Sequence, residues 1–588
     1  MERRVLIAII LSFAVLYGYQ RFVVPPPPAE TAAQSGQAAT GSQNAQGRQS
    51  GAPGQSPATG TAAVDPAAQA AAVTPFDGEA TEREIVVETQ VVQAVLTSRG
   101  GRLLHWRLKA YTDEAGTPVD LVPSNVPADQ PVPFSLAIDG DQALSSRLNT
   151  AVYQVTGATG NTVDATAQPA TIVFEGRDAA GLVVRKAFGF DPKAYVVSFD
   201  ASVTSGGQAL NPTVLWGPGL GDIGATAGGG SFFTGNAVQA PQAIYHLDGK
   251  VQRVAAGKLG EQGRPSGGFR FAGIDDHYFL AAALAPGTTQ ASFGSLLLNG
   301  EGDSQRQLVT QAFRFSAPPS GVKFFVGPKQ FDILKATDLE LVKAINFGMF
   351  AWLVLPLLSA LKWIYGFVGN YGWSIILLTV VINLVLFPLR HKSVVSMRKM
   401  QALQPHIKSI QERYGDLKVT DPARQKMQTE IMNLYRERGV NPASGCVPML
   451  LTMPVLFAFY SMLSQAIELR GADFGLWIHD LSAHDPYYVT PLLMGASMFW
   501  QQKITPSTAD PAQQKVMMFM PLMFTAMFIR FPSGLAIYYF TSNLWTIGQQ
   551  YFTNWLIGPL NVQPVRPAAE RRLKKAGSGK TAAAERQD

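Results

Sequence analysis

The chain has 588 residues, of which 47% are apolar and only 15% are charged. Soluble globular chains usually carry about 25% charged residues, so this composition indicates a protein that is partly solvated by lipid. The formal charge of +6 is too small to indicate nucleic-acid binding by itself, and the single cysteine, Cys446, excludes an intramolecular disulfide.

The first 75 residues predict a membrane anchor and a tether. Arg3 and Arg4 precede an apolar run from Val5 to about Tyr19. No small-residue cleavage site closes this run before the prolines at 25–28, so we expect an uncleaved signal-anchor transmembrane helix over 1–24. Residues 25–75 are rich in Ala, Gly, Gln, Ser and Pro. They predict a disordered linker outside the membrane, because they hold too little apolar surface to fold.

Residues 76–330 predict a large all-β domain. Short alternating runs such as Glu84–Thr89, Val91–Thr97 and Ala194–Phe199 are separated by glycine and other turn residues. Such alternation with frequent turns is typical of a β-sandwich. The Gly228–Gly230 run lacks the following helix and Lys-Ser/Thr pair of a phosphate-binding loop, so we interpret it as an ordinary loop.

Apolar stretches dominate the second half of the chain, at 347–368, 371–389, 447–465, 487–502, 516–531 and 535–557. If all six and the anchor crossed the membrane, the loop from Arg390 to Asn441 would lie outside, with eleven Lys/Arg against five Asp/Glu. That placement would violate the positive-inside rule. The first stretch contains Pro356, Ser359 and Lys362. We therefore expect 331–369 to be an amphipathic helix in the outer interface.

The charge pattern then predicts six spans, with both termini in the cytoplasm and the β domain outside. After the interfacial helix we expect transmembrane helix 2 at 370–389, a cytoplasmic helical hairpin at 390–446, transmembrane helix 3 at 447–465, an outer loop at 466–486, transmembrane helix 4 at 487–502, a cytoplasmic loop at 503–515, transmembrane helices 5 and 6 at 516–531 and 533–557, and a basic tail at 558–588. The hairpin is predicted because apolar residues recur at helical spacing on both sides of a break. The first helical pattern ends at Gly415–Asp416, and the second begins at Asp421–Pro422. An alternative interpretation is that its charges only keep this loop solvated and in the cytoplasm.

Several segments resemble the YidC/Oxa family of membrane-protein insertases, in its Gram-negative YidC form. They are Phe367–Ile376, Leu403–Lys408, Asn441–Leu450, Thr452–Leu456, Leu476–Tyr488 and Phe531–Asn543, with Ser98–Gly101 as the clearest patch in the β domain. The resemblance implies a multi-pass inner-membrane protein with a periplasmic β domain. It implies a protein that inserts membrane proteins and helps them fold and assemble, alone or with the Sec translocon.

The resemblance also implies a hydrophilic groove, open to the cytosol and to lipid, that is built by five of the spans. The groove arginine of the family aligns with Asn383, so this chain departs from the family pattern. An amide can line such a groove but carries no charge. Arg390 lies about 20° around the helix from Asn383, and Thr379 lies within about 40°. We predict that Arg390 supplies a displaced positive charge; the alternatives are helix packing at Asn383 and a topology anchor at Arg390.

Four further positions match the substrate path of the family: Met453, Pro454, Tyr538 and Tyr539. Methionine and tyrosine offer an adaptable apolar surface, although ordinary bundle packing explains them equally well. Helix packing is the simpler interpretation of the other polar residues on the spans, which are Thr452, Ser461, Gln501, Gln502, Thr525, Thr541, Ser542, Asn543, Gln549 and Gln550.

The implied partners are nascent membrane proteins, the lipid bilayer and the Sec translocon, with the ribosome and signal-recognition components meeting the hairpin and tail. No cofactor, metal or small-molecule substrate is expected. A secondary transporter, the main alternative, normally needs intramembrane acidic residues, and the predicted spans after 370 contain none. An enzyme is disfavoured because His391, His406, His479 and His484 are all expected in loops outside the predicted spans. An assembly scaffold without insertase activity remains open.

Overall fold

The computed structural model describes residues 76–77, 79–113, 116–124, 126–127, 129–221, 239, 241–284, 288–299, 305–414, 422–440, 447–505 and 511–558. The predicted anchor, the linker, the Gly228–Gly230 run and the tail beyond Gly558 lie outside the described residues. The chain forms two compact units. The described residues of one lie within 408–433, and those of the other lie within 76–407 and 434–558.

The β domain begins at Phe76 and its last strand ends at Pro328. Its described strands are β1 (Phe76–Asp77), β2 (Glu84–Glu88), β3 (Val92–Thr97), β4 (Arg102–Thr112), β5 (Pro118–Asp120), β6 (Ser135–Ala137), β7 (Gln154–Thr156), β8 (Thr162–Asp164), β9 (Ala170–Asp178), β10 (Val183–Phe190), β11 (Val196–Ser205), β12 (Gln208–Leu210), β13 (Thr213–Trp216), β14 (Gln242–Leu247), β15 (Lys250–Ala255), β16 (Phe269–Asp275), β17 (Phe279–Leu284), β18 (Thr288–Asn299), β19 (Gln305–Phe315) and β20 (Val322–Pro328).

Three sheets share one hydrophobic core. Within the described residues, the main sheet runs in the order β1-β9-β10-β11-β20-β17-β16-β14-β15, and two smaller sheets run β18-β19-β13-β6 and β5-β4-β3-β2-β8. Trp216 of one small sheet stacks on Phe324 of the main sheet, with ring centroids 6.3 Å apart. Trp106 of the other small sheet donates its indole N–H to the carbonyl oxygen of Val326 (2.8 Å). These contacts confirm the predicted β-sandwich.

A lysine lies inside this core. Lys186 on β10 is fully buried, and its ammonium donates to the carbonyl oxygens of Gly100 (2.6 Å), Phe134 (2.9 Å) and Gly101 (3.3 Å). Three acceptors match the three N–H donors of an ammonium group. Burial lowers the pKa of Lys186 below its ordinary value. The side chain therefore ties the turn at Gly100–Gly101 and the residue before β6 to the main sheet.

The remaining elements are mostly helical. The described α-helices are α1 (Gln142–Thr150), α2 (Leu259–Gln262), α3 (Phe331–Thr337), α4 (Ala351–Val368), α5 (Tyr371–Ala402), α6 (Gln404–Tyr414), α7 (Pro422–Glu437), α8 (Val447–Gln465), α9 (Val489–Ile504), α10 (Pro511–Phe528) and α11 (Ser533–Ile557). Short 3₁₀ helices cover Ala256–Lys258, Leu339–Ala344, Gly348–Phe350 and Ile467–Leu469.

The helices of the second half follow the predicted spans closely. α8 and α11 have the predicted bounds, and α9 and α10 are displaced by a few residues. α5 does not stop near Arg390 but continues to Ala402, through Pro388. By length and composition, two helical segments in the described part of the chain could cross a membrane, Gly348–Val368 and Tyr371–Ala402, and a shorter apolar helix covers Met517–Phe528.

The segment predicted as one interfacial helix, 331–369, is not continuous. α3 ends before Asp338, whose backbone is extended and whose carboxylate accepts from the N–H of Glu340 (2.8 Å). Ile345 is extended as well, and Gly348 has a φ of +66°. These breaks divide the segment into two α-helices and two 3₁₀ helices, and only α4 is long and apolar. Its placement in the outer interface stays a prediction.

A turn of the β domain packs on the end of α8. His277, between β16 and β17, donates its Nε2–H to the carbonyl oxygen of Ser464 (2.7 Å), because a carbonyl can only accept. Its Nδ1 accepts from the backbone N–H of Gln239 (3.3 Å). Burial, with the nearby charge of Lys329, lowers the pKa of His277 to about 4. The imidazole is therefore neutral at pH 7 and suited to this pair of hydrogen bonds.

Charged groups surround this joint. Lys329 donates to the carboxylate of Asp275 (2.6 Å), and burial raises the pKa of the neighbouring Asp276 carboxyl to about 6. The guanidinium of Arg470 lies 5.1 Å from the ring centre of Phe279. Arg253 donates to two carbonyl oxygens at the end of the 3₁₀ helix Leu339–Ala344 (2.9 Å each). The β domain is thus attached to the helical part by side-chain contacts as well as by the chain.

The other compact unit contains part of the hairpin predicted at 390–446. Arg413 on α6 donates to the carboxylate of Glu430 on α7 (2.7 Å), and Ile410, Met427 and Ile431 are buried. The two helices expected on either side of the Gly415–Asp416 break are therefore both present.

Candidate functional site

The middle of α5 carries the polar residues that the sequence singled out. Asn370 caps this helix by accepting from the N–H of Trp373 (3.1 Å). Thr379 and Asn383 are buried, at 0% and 3% exposure. Thr379 donates its hydroxyl to the carbonyl oxygen of Ile375 (2.6 Å), so that hydroxyl hydrogen is satisfied within its own helix. The amide nitrogen of Asn383 donates to the carbonyl oxygen of Thr379 (2.8 Å).

The structure brings Arg390 to Asn383. The Nη1 group of Arg390 donates to Oδ1 of Asn383 (2.7 Å) across seven residues of α5. Those residues span roughly 10 Å of helix rise, and helical side chains tilt toward the N-terminus of their helix, which brings the guanidinium back to residue 383. Thr379, Asn383 and Arg390 therefore form one hydrogen-bonded group.

A second helix contributes to this group. Nη1 of Arg390 also donates to the hydroxyl oxygen of Thr546 on α11 (3.2 Å), and that hydroxyl donates to the carbonyl oxygen of Ser542 (2.8 Å). Sequence reasoning missed Thr546. The signal that points to it is the three-and-four spacing of Asn543, Thr546, Gln549 and Thr553 along an otherwise apolar helix, which puts their side chains on one face.

The polar contacts between α5 and α11 continue toward the ends of both helices. Gln549 donates to the carbonyl oxygen of Phe387 (3.3 Å), and His391 is hydrogen-bonded to the hydroxyl of Thr553 (3.2 Å). Arg398 donates to the carbonyl oxygen of Gly558 (3.1 Å). Buried polar groups in a bundle must find partners of this kind. The seam from Asn383 to Gly558 is therefore polar over about half of α11.

Aromatic contacts lie toward the other end of α11. Tyr538 is 8% exposed and stacks on Phe459 of α8, with ring centroids 4.3 Å apart and planes 14° apart. Tyr539 packs edge-on against Phe528 of α10, at 4.9 Å. Ring pairs of this geometry add to packing beyond their buried area. Both predicted tyrosines therefore lie in close helix contacts.

The two predicted residues on α8 stand apart from the hydrogen-bonded group. Met453 is 39% exposed and Pro454 is half-buried inside the helix. Two cavities lie elsewhere: one of about 430 Å³ between α9 and α10, and one of about 560 Å³ on the β domain. Neither is lined by Asn383 or Arg390.

The part of the chain with described coordinates holds no group of three or more His, Cys, Asp or Glu side chains that could bind a metal ion. The polar groups of the α5–α11 seam are the guanidinium groups of Arg390 and Arg398, amides, hydroxyls and an imidazole, and among the described residues no carboxylate hydrogen-bonds to Arg390. The arrangement is suited to offering hydrogen bonds and a positive charge.

Comparison with known proteins agrees with this architecture. A family described as "YidC periplasmic domain" matches residues 84–360, and one described as "60Kd inner membrane protein" matches residues 363–558. A protein of Oleidesulfovibrio alaskensis named membrane protein insertase YidC is 37% identical, over 80% of this chain and 86% of its own length. The chain belongs to the YidC family.

A second YidC relative, from Geobacter metallireducens, is 35% identical over 94% of this chain and 98% of its own length. A crystal structure described as an active YidC insertase with its first transmembrane domain resolved covers 82% of this chain, at 20% identity and a TM-score of 0.35. The YidC family descriptions refer to an inner membrane and a periplasmic domain. The β domain described above corresponds to that periplasmic domain.

Proposed function

We propose that this chain is a membrane protein insertase and chaperone, which inserts integral membrane proteins into the inner membrane and helps them fold and assemble. Its relatives carry the name membrane protein insertase YidC. The structural observation that carries the proposal is the hydrogen bond between Arg390 and Asn383 in a buried part of the helical bundle. A polar group of this kind within a membrane helix is costly and marks a functional path.

The proposed path is a hydrophilic groove along the polar seam of α5 and α11, open to the cytosol and to lipid. Moving a polar segment through hydrocarbon costs several kcal/mol for each unsatisfied group. A groove that offers hydrogen bonds part of the way lowers that cost. The apolar part of the client then enters lipid and gains about 0.8 kcal/mol for each buried CH₂ group. No covalent step is required.

Arg390 supplies the positive charge of this groove, and Asn383 holds it. The support is the 2.7 Å hydrogen bond from Arg390 to Asn383, the position where the family resemblance expects an arginine. A guanidinium in a low-dielectric site attracts carboxylates strongly and can bind them with two parallel hydrogen bonds. Met453, which is 39% exposed, and Pro454 offer apolar surface to the client, and Tyr538 and Tyr539 hold α11 against α8 and α10.

Six spans with cytoplasmic termini complete the proposal, and α4 then lies in the outer interface. Lys362 of α4 pairs with Asp332 and with Glu468 (3.5 Å), which lie after the β domain and after α8. Phe350, just before α4, stacks on Phe457 of α8, at 5.8 Å. These contacts join α4 to α8 and to the 3₁₀ helix after it, while the non-crossing placement of α4 rests on the positive-inside rule.

The proposed partners follow from the surfaces on each side of the membrane. The basic hairpin and the basic tail would meet the ribosome and signal-recognition components, because both carry an excess of Lys/Arg. The periplasmic domain and the helical bundle would associate with the Sec translocon for clients that need both. Nascent membrane proteins and the bilayer are the partners that the insertase function itself requires.

Insertion into liposomes containing only this protein tests the function. A small single-span client, scored by protease protection, should insert with the wild type. Asn383→Leu should lower the rate on the order of tenfold, because Nη1 of Arg390 loses a hydrogen bond worth about 1.5 kcal/mol. Val385→Leu is the matched control, since Val385 is 70% exposed on the same helix, and its rate should not change.

The outcomes separate three interpretations. Protection that Asn383→Leu reduces and Val385→Leu preserves supports an autonomous insertase that uses the seam. Equal protection in all variants keeps the insertase function and removes Asn383 from the path. No protection with folded wild-type protein would indicate a scaffold or a partner that acts only with the translocon.

A further inference from the structure

Thr546 and Asn383 together occupy one edge of the Arg390 guanidinium. Both hydrogen bonds of Arg390 leave from Nη1, at 2.7 Å to Asn383 and 3.2 Å to Thr546. The two acceptors come from different helices, α5 and α11. A guanidinium held by two acceptors on separate helices keeps a defined orientation, because it is planar and its donors form a rigid fork.

Within the described part of the chain, the opposite edge of the guanidinium has no such partners. An arginine side chain has five N–H donors, two of them on Nη1. These two hydrogen bonds match the two donors of Nη1, and no acceptor for Nε or Nη2 lies among the described residues. The Nε–Nη2 edge is the one that binds a carboxylate with two parallel hydrogen bonds.

We propose that Thr546 is a positioning residue that, with Asn383, holds the Nη1 group of Arg390 and leaves the Nε–Nη2 edge open to a client carboxylate. This inference rests on the proposed insertase function and names the client feature that the site recognises. Thr546 does not contact the client. It acts by fixing which edge of the guanidinium is available and how far along α5 the charge lies.

The hydroxyl chemistry of Thr546 fits this role. Its own hydrogen is donated to the carbonyl oxygen of Ser542 (2.8 Å), so the oxygen faces Arg390 as an acceptor. The flanking contacts of Gln549 with Phe387 and of Thr553 with His391 hold the two helices in register on either side. A valine at 546 would keep the shape and lose the acceptor, whereas a serine would keep the acceptor.

The test uses two clients that differ in one residue. In liposomes containing the full chain, insertion is measured for a single-span client with one glutamate in its translocated segment and for the same client with glutamine. The ratio of the two rates is compared in the wild type, Thr546→Val, Thr546→Ser, Arg390→Lys and Arg390→Gln. Thr541→Val is the control, since residue 541 is about 140° around α11 from residue 546.

We expect the wild type to favour the glutamate client, and Thr546→Val to reduce that ratio by about threefold to tenfold with the glutamine client unchanged. Thr546→Ser should restore the ratio. Arg390→Lys should reduce it, because a lysine keeps the charge without the fork, and Thr541→Val should have no effect.

A ratio that Thr546→Val leaves unchanged, or a rate that falls equally for both clients, would overturn the positioning role. A wild-type ratio of one, equal to that of Arg390→Gln, would overturn it as well while the insertase function stands. Failure of the proposed function would give a different result, because neither client would then insert with the wild type.

Discussion

In α5 the buried polar group and the positive charge lie at two different positions, Asn383 and Arg390. Asn383 provides the buried amide, and Arg390, seven residues later, provides the guanidinium that bonds to it. Two residues that are seven positions apart lie on nearly the same face of a helix. A charge at position 390 instead of 383 therefore stays on the same side of α5. The sequence allowed this pair to be predicted because the spacing is local.

Thr546 could not be predicted in the same way. It lies 156 residues from Arg390 in the chain, and no local pattern tells which two membrane helices pack together. The spacing of polar residues along α11 identifies a polar face of the helix, but it does not tell which other helix packs against that face. Long-range contacts of this kind require the assembled bundle.

The buried Lys186 gives a prediction on stability. Lys186→Met should destabilise the β domain by roughly 2–4 kcal/mol, because three carbonyl oxygens lose their donor at a fully buried position. Hydrogen exchange of the full chain in detergent, read at Gly100 and Gly101, should show faster exchange in the variant. Lys323→Met is the matched control on an exposed strand position and should change stability by less than about 0.5 kcal/mol.

The same residue fixes the sign of a pH effect. Burial lowers the pKa of Lys186 in the folded state. At pH values between this lowered pKa and the ordinary pKa of about 10.4, the unfolded chain therefore binds more protons than the folded protein. The contribution of Lys186 to stability therefore rises with pH in this window. Lys186→Met should flatten that rise, and an unchanged pH dependence would contradict the assigned burial.

The segment 331–369 shows how far a periodic pattern predicts an element. Its apolar spacing predicts helix, and helix is present in α3 and α4. The breaks come from side chains that hydrogen-bond the local backbone, such as Asp338, and from Gly348 in a left-handed conformation. Short polar residues compete with the helix in this way, and periodicity alone does not reveal where they succeed.

The ion pair of α4 gives a prediction at this scale. Lys362→Met should lower the thermal stability of the protein in detergent, by about 1–3 kcal/mol, because it leaves the nearly buried carboxylate of Glu468 without its cation. Burial already raises the pKa of Glu468. Glu468→Gln should cost less, since it removes the buried charge.

The double variant Lys362→Met with Glu468→Gln provides the control. If Lys362 acts by compensating Glu468, the double variant should be more stable than Lys362→Met alone. A double variant as unstable as the sum of the two single variants would show that the residues stabilise α4 independently.

At the scale of the whole molecule, the order of the segments could be predicted and the pairing of the strands could not. Hydropathy predicted helices close to α8 and α11, and alternation predicted a β-rich region before them. The sheet order places β20 between β11 and β17, and β6 beside β13. These neighbours are far apart in the chain, and no alternating pattern specifies them.

The joint between the β domain and α8 was also beyond prediction. His277 and Ser464 are 187 residues apart, and one hydrogen bond links a strand turn to the end of a helix. The sequence shows a turn near His277 but not the surface on which it packs. The contact attaches the β domain to the helix that carries Met453 and Pro454.

The most direct measurement of the central proposal moves the charge along α5. Insertion of the glutamate client would be compared in the wild type, in Arg390→Gln and in the double variant Asn383→Arg with Arg390→Gln. If Arg390 supplies the charge of the groove, Arg390→Gln should lower insertion on the order of tenfold, as expected for losing a charged hydrogen bond, and the double variant should restore it. Wild-type insertion by Arg390→Gln would contradict the proposal.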